Sequence, residues 1–496
     1  MRILSLVEQL FFLLEKHKQP MHVGGLFLFD IPDNSDNHFV ADLVRQMRSS
    51  TTPPTFPFDQ VVHNQTFWKS ADKVDIHYHF HHMVLPKPYS KQALYSYVSD
   101  VHANMLDKGY PLWECHIIEG IEADHVDVSA PSKPLHPNQL PINQAEPKPK
   151  SSQKPAPKPK SSQKPAPKKQ FALYFKIHHA LVDGVAAMRL VERSLSASQH
   201  EVMSLPPWAL MRRDKKHLAA LTPQKRSVSG IVKEQVGSIK PVFTELKNGL
   251  RQRTDPGHVS TLQAPSSLLN QRISNSRIFM AHTFPLSRFK SLAQQLDVSI
   301  NDVALAVCSG ALRSYLISEN ALPKEPLVAF VPVSLRKDQS ASGNQTSLVL
   351  CDLGTDQASP KQRLQAIHDS MTIGKDKFGR LDQAQVINYS AITYAWEGVN
   401  LLTGAYPKKQ AFNILISNVP GPKQQLYWDG AALSALYPAS VVFDGQALNI
   451  TFTSYLNQVH FGIIGCGKNL PNIQNLVPLL EQALLVLEAD SKERST

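Results

Sequence analysis

In the stretch Phe171–Ile177 every second residue is apolar: Phe171, Leu173, Phe175 and Ile177. Period two predicts a strand with one buried face. Short apolar runs predict further strands at 20–32, 113–121, 327–333, 345–353, 411–417, 447–455 and 459–465. Helical spacing predicts helices at 91–107, 183–197, 299–318 and about 472–488. The helix at 183–197 has Val185, Met188, Val191 and Leu195 on one face, and Asp183 stands where its cap belongs. At the N-terminus Ser5 and Glu8 have the spacing of a capping box that opens an amphipathic helix. Strands and helices mixed in two halves predict an α+β fold with two lobes.

Low complexity divides the pattern. Ser151–Lys158 recurs ten residues later as Ser161–Lys168, and residues 131–170 hold eleven of the 36 prolines. Such a segment, about 129–169, cannot pack a core and reads as an extended insert in a first domain at 1–200. A basic, Pro-punctuated connector at 201–276 then leads to a second domain at 277–496.

Charge follows the same division. Of a net +11, residues 131–170 carry +8 and residues 212–253 carry +8, which leaves −5 for the rest. That distribution, with no zinc-finger or RNP signature, excludes a nucleic-acid binder. Anionic lipid or the phosphates of a coenzyme suit the basic segments better. Four scattered cysteines, Cys115, Cys308, Cys351 and Cys466, make neither a disulfide framework nor a zinc site. Glu8 breaks the first apolar run with no cleavage site after it, so no signal peptide is expected. No run approaches the ~20 apolar residues of a spanning helix.

The chemistry concentrates at His178-His179-Ala180-Leu181-Val182-Asp183-Gly184. Strand alternation carries His179 onto the apolar face and turns His178 to the other side. Desolvation keeps such an imidazole neutral, which suits a general base for an alcohol. A single histidine on an apolar face is more often a core residue, but two in tandem with Asp and Gly at fixed offsets are rarer. Adjacent strand histidines face apart and cannot easily share a zinc ion, so no metal is expected. There is neither a Gly-x-Ser-x-Gly elbow nor a phosphate loop.

This H-H-x-x-x-D-G stretch resembles the signature of the chloramphenicol acetyltransferase-like superfamily. Pro20-Met21-His22-Val23-Gly24, Pro111-Leu112-Trp113-Glu114, Asn301-Asp302-Val303, Pro332–Arg336 and Ser417–Pro422 are similar to signatures of the bacterial wax ester synthase/acyl-CoA:diacylglycerol acyltransferase family. The Lys/Pro insert departs from that pattern.

The resemblance implies two chloramphenicol acetyltransferase-like α/β sandwich domains with a tunnel between them. It implies direct transfer from acyl-CoA, a substrate rather than a cofactor, to fatty alcohols and diacylglycerol. By resemblance His179 is the base, with His178 beside it. Asn301 is the candidate oxyanion donor, or alternatively a helix cap. Asp183 is expected to pair with an arginine, for which Arg336 is the candidate, rather than to orient His179. Gly184 is expected to give room or a positive φ at the turn. Pro111, Leu112 and Trp113 are expected to shape the acyl tunnel or to sit in the core. The expected setting is cytoplasmic, at the surface of an anionic membrane or lipid inclusion, as a monomer or homodimer. The alternatives are a same-fold acyltransferase for another alcohol or an amine, and a non-catalytic lipid-surface protein.

Overall fold

A computed structural model describes residues 2–64, 66–122, 169–202, 206–209, 259, 263–334, 346–379 and 411–492. The predicted insert up to residue 168, most of the connector and Arg336 lie outside these residues. The first half contains β1 (Arg2–Ile3), α1 (Leu6–Leu14), β2 (His22–Asp30), α2 (Phe39–Ser49), β3 (Gln60–His63), β4 (Phe67–Ser70), α3 (Ile76–His79), β5 (Phe80–Val84), α4 (Lys91–Ala103), β6 (Trp113–Glu122), β7 (Lys169–His178) and α5 (Gly184–Ser194). The second contains β8 (Arg277–Pro285), α6 (Leu286–Leu296), α7 (Ile300–Ser318), β9 (Val328–Ser334), β10 (Thr346–Asp352), α8 (Pro360–Gly379), β11 (Ile414–Pro420), β12 (Tyr427–Trp428), β13 (Ala431–Ala439), β14 (Leu448–Tyr455), β15 (Gln458–Cys466) and α9 (Leu476–Lys492). The strand expected at 411–417 thus lies three residues later. The last helix expected at 472–488 starts after a 3-10 turn at Ile473–Asn475.

Side-chain caps fix where the helices begin. Ser5 accepts the N–H of Glu8, and the Glu8 carboxylate accepts the N–H of Ser5. Ser90 caps α4 and Asp183 caps α5. Ser299 and Asp302 form a second capping box on α7. Each such cap is worth about 1 kcal/mol. The cap of α7 is therefore Ser299, and Asn301 stands inside the first turn. This corrects the cap reading of Asn301: the β-region backbone that a cap needs occurs two residues earlier.

Two six-stranded sheets form the lobes. The second runs β10-β9-β11-β14-β15-β8, with parallel pairs at β9–β11 and β11–β14. The first runs β12-β13-β2-β7-β6-β5, so two strands from the second half complete it. Strand β13 pairs with β2 from Ala432↔Asp30 to Ala439↔Gly24. Where β13 crosses the second sheet the backbones nearly touch: a Cβ on Gly462 would run into the Pro438 carbonyl oxygen. Only glycine fits there.

The lobes share one core. Leu26, Leu28, Val98 and Tyr174 of the first pack in the same cluster as Phe279, Val303 and Phe452 of the second. The Ser99 hydroxyl also accepts the N–H of Phe279 at 2.8 Å. Helix α7 packs on α6, α8 and α9. It is the one described helix long and apolar enough to cross a membrane, and most of it is buried in this core.

Candidate active site

Strand β7 delivers the two histidines with the alternation its sequence dictates. Leu173 and Ile177 belong to one cluster, with Phe171, Phe29 and Met188, and Phe175 packs on its edge. Tyr174 faces the shared core on the other side, as does buried Lys176, whose Nζ lies 2.8 Å from Glu114. The chain then turns sharply. The N–H of Leu181 donates to the His178 carbonyl at 2.9 Å, and the N–H of Ala180 donates to His178 Nδ1 at 3.1 Å. Asp183 accepts the N–H of Ala186 at 2.7 Å and starts α5.

His179 extends the β2–β7 ladder by one residue, its N–H donating to the Met21 carbonyl at 2.8 Å. The side chain is half-buried, and its ring stacks on Phe11 of α1, centroids 4.5 Å apart. Burial pushes its pKa below the ordinary 6.5, and the charge of His178 adds to this. A hydrogen bond to its own backbone and the charge of Asp183 oppose the shift without reversing it. Its Nδ1 is buried, and no other described residue hydrogen-bonds it.

His178 is held differently. It is fully buried, stacks on Phe12 at 4.6 Å, and donates its N–H to the Leu112 carbonyl at 3.0 Å. Its Nε2 lies 3.3 Å from the buried Glu15 carboxylate, close enough for an ion-pair contact but poorly aligned for a hydrogen bond. Glu15 also accepts the Met21 N–H at 3.3 Å and pairs with Lys108 at 2.8 Å. Burial alone would raise its pKa, but His178 and Lys108 outweigh that and lower it.

One pleat from His179 an apolar cavity begins. It runs between α5 and the paired strands β2 and β7, under Val23, Gly25, Phe27, Leu173, Phe175 and Ile177. The space among its lining atoms is ≈ 730 Å³, part of it open to solvent. Ala187, Met188, Leu190 and Val191 of α5 close the other side. His179 itself does not line the cavity; a neutral imidazole two residues beyond Ile177 can take a proton from a hydroxyl whose alkyl chain, or whose acyl partner, lies along the strands.

Two family profiles match this chain. The wax ester synthase/diacylglycerol acyltransferase catalytic domain covers residues 4–129 and 166–304, and the C-terminal domain of the same enzymes covers 342–488. The chain belongs to the wax ester synthase/diacylglycerol acyltransferase family. It is 43% identical to the O-acyltransferase WSD of Acinetobacter baylyi, over 98% of this chain and 97% of that one. The solved wax ester synthase/diacylglycerol acyltransferase of Marinobacter aquaeolei VT8 superposes with a TM-score of 0.74 at 36% identity, covering 99% of this chain and 100% of that one. The starter condensation domain of rhizomide synthetase has the same fold, with a TM-score of 0.54 at 10% identity over 99% and 94% of the two chains. The two sheet-rich lobes are thus the chloramphenicol acetyltransferase-like pair.

Of the other sequence-predicted residues of this wax ester synthase/diacylglycerol acyltransferase chain, Gly184 and the segment 111–113 adjoin the turn. Gly184 opens α5, and a Cβ there would stand 3.3 Å from Val419 of the Ser417–Pro422 segment. It supplies room; its φ is not among the positive ones, because the residue is already helical. Leu112 and Trp113 are core: Trp113 stacks on His79 at 4.4 Å and on Phe175 at 6.0 Å. Pro111 is buried beside them. None of the three lines the cavity, but Trp113 backs the Phe175 that does. Asn301 is half-buried, and no hydrogen bond joins it to the histidines among the described residues. No group of three or more His, Cys, Asp or Glu suited to a metal ion occurs among them either.

Phe11, Phe12, Glu15, Lys108 and Gly25 were not legible as site residues. A weak signal existed for two of them. Glu15 is the lone acid at the end of an apolar helix, and Gly24-Gly25 interrupts an apolar strand.

Proposed function

We propose that this chain transfers a long acyl group from acyl-CoA to fatty alcohols, giving wax esters, and to diacylglycerol, giving triacylglycerol. His179 is the general base. Its Nδ1 is buried, so Nε2 is the nitrogen that faces the acceptor. Nε2 takes the hydroxyl proton as the oxygen attacks the thioester carbonyl. The tetrahedral intermediate collapses with loss of CoA thiolate, which takes the same proton back from the imidazolium. Asn301 is the proposed donor to the oxyanion. Asp183 acts by holding the turn through its cap. The enzyme works at a lipid surface, where its acceptors reside.

The observation that carries this reading is the half-buried His179, kept neutral by burial, two residues along the chain from Ile177 in the wall of a cavity lined almost wholly by carbon. The family match supports the substrate class. The test is thiol release from palmitoyl-CoA with hexadecanol or diacylglycerol, with products identified by chromatography. Ester formation from both acceptors, lost together in His179→Ala, is expected. Reaction with amines or with short acetyl donors alone would refute it.

A further inference from the structure

We propose that the outward face of α1 docks the enzyme on an anionic phospholipid surface directly above His178 and His179. The inference rests on the acyl-transfer reading only in taking its acceptors to be water-insoluble.

Helix α1 has two apolar faces. The inner one is used: Phe11 stacks on His179, Phe12 on His178, and Leu14 packs with Met21 and Val441. The outer one is bare. Val7 is 62% exposed, Leu10 46% and Leu13 60%, and Ile3 of β1, just before the cap, is 67% exposed. On α1 the spacing of three and three places Val7, Leu10 and Leu13 on one stripe. No other described stretch gathers exposed large apolar side chains in this way. A contiguous stripe of this kind on a surface helix marks an interaction site.

Charge decides which partner fits. The two acids near the stripe are turned inward. Glu8 is held by Arg2 at 2.6 Å and by Trp68 Nε1 at 3.2 Å, and Glu15 is buried beneath Lys108. At the end of the helix Lys16 and His17 remain at the surface. An apolar stripe with basic residues at its end and its acids withdrawn is complementary to an anionic lipid surface, in which such a helix lies flat. The capping box and the Arg2–Glu8 pair keep α1 folded before it meets the bilayer. Lipid acceptors leaving that surface would then arrive beside His179.

The test uses the full-length enzyme and the variant Val7→Gln/Leu10→Gln/Leu13→Gln, which keeps helix propensity and adds no charge. Vesicles of phosphatidylcholine, with and without phosphatidylglycerol, are the probes. The variant should lose about tenfold or more of its binding to phosphatidylglycerol vesicles. Its rate with octanoyl-CoA and butanol should stay that of the wild type. In a separate Leu13→Trp variant, brominated phospholipid should quench the new tryptophan. Equal vesicle binding by wild type and triple variant would overturn the proposal. So would a change in oligomeric state with vesicle binding intact, because a second copy would then be the occupant. A wild type that esterifies nothing, yet loses vesicle binding on the triple substitution, would refute the acyl-transfer reading and support the docking face.

Discussion

The ring of Phe11 lies on the imidazole of His179 with centroids 4.5 Å apart and planes 17° apart. A helix from the N-terminus thus covers the imidazole that β7 delivers, the proposed base. Because burial is the main cause of the lowered His179 pKa, Phe11 is part of that cause. Phe11→Ala should admit water and move the acid limb of kcat/KM upward, toward pH 6.5. The rate should fall about tenfold through looser placement of the ring. A pH–rate profile checks this; an unmoved acid limb would show that Phe11 only packs.

The two histidines should separate cleanly on substitution. His179→Ala should lower kcat by at least about a hundredfold with an unchanged melting temperature. His178→Ala should instead destabilise by about 1–3 kcal/mol, because it leaves the Ala180 N–H without its acceptor and strips one neighbour from buried Glu15, which keeps Lys108 and the Met21 N–H. Urea titration beside steady-state kinetics distinguishes the two. Equal effects from both would mean that the strand alternation does not divide their roles.

Acid should unfold this protein early. Burial holds His102 at about 3 and His460 at about 4, below the 6.5 of an unfolded chain. The folded form therefore stays neutral where the unfolded form binds a proton. Stability is fully present above pH 6.5 and falls as pH drops, through about 4 for His460 and about 3 for His102. Each histidine contributes a slope of about 1.4 kcal/mol per pH unit within its window. His22, His79, His81, His116 and His179 are lowered too and add in the same sense. Urea midpoints between pH 7.5 and 5 should show the trend, and His460→Gln should flatten it. A pH-independent midpoint would contradict the burial argument.

What could be read in advance was local. Period two from Phe171 to Ile177 set β7 and the sides of His178 and His179, and Ser5, Glu8 and Asp183 announced their caps. What could not be read depends on distant partners. Nothing in the alanine-rich Ala431–Ala439 says that it will pair with β2 rather than stay in its own half. Trp113 looks the same in sequence whether it lines a cavity or backs Phe175. Phe11 and Glu15 acquire meaning only when the β2–β7 ladder brings Met21 beside His179.

Gly184 joins the His178–Gly184 turn to the second lobe through Val419. A Cβ at 184 would stand 3.3 Å from Val419 Cγ2, tight but tolerable. Gly184→Ala should be close to neutral, since the contact offsets the gain from a stiffer unfolded chain. Gly184→Val should cost about 1–3 kcal/mol by overpacking. Adding Val419→Ala should recover part of that loss, with a coupling above about 0.5 kcal/mol in a double-mutant cycle. Strict additivity would show that the two residues do not press on each other.

Chain length should be set along β2. Two residues from His179 the cavity wall begins at Ile177 and Val23, then passes Phe175 and Gly25, then Leu173 and Phe27, following the strand register. Six strand residues from His179 to Leu173 span about 20 Å, the length of an extended sixteen-carbon chain with bonds of about 1.5 Å. Gly25 lies opposite Phe175, about 13 Å from the base. A Cβ there would sit 2.7 Å from the tip of the Phe27 ring, so any side chain must push that ring, or itself, into the channel. Gly25→Leu should therefore leave room for about ten carbons. The kcat/KM for hexadecyl substrates should fall by about tenfold or more, while decyl substrates keep most of theirs. A series of acyl-CoA and alcohol lengths, measured one at a time, also shows which of the two chains occupies this channel. An equal loss at every length would mean that Gly25 only shapes the strand and that the chain runs elsewhere.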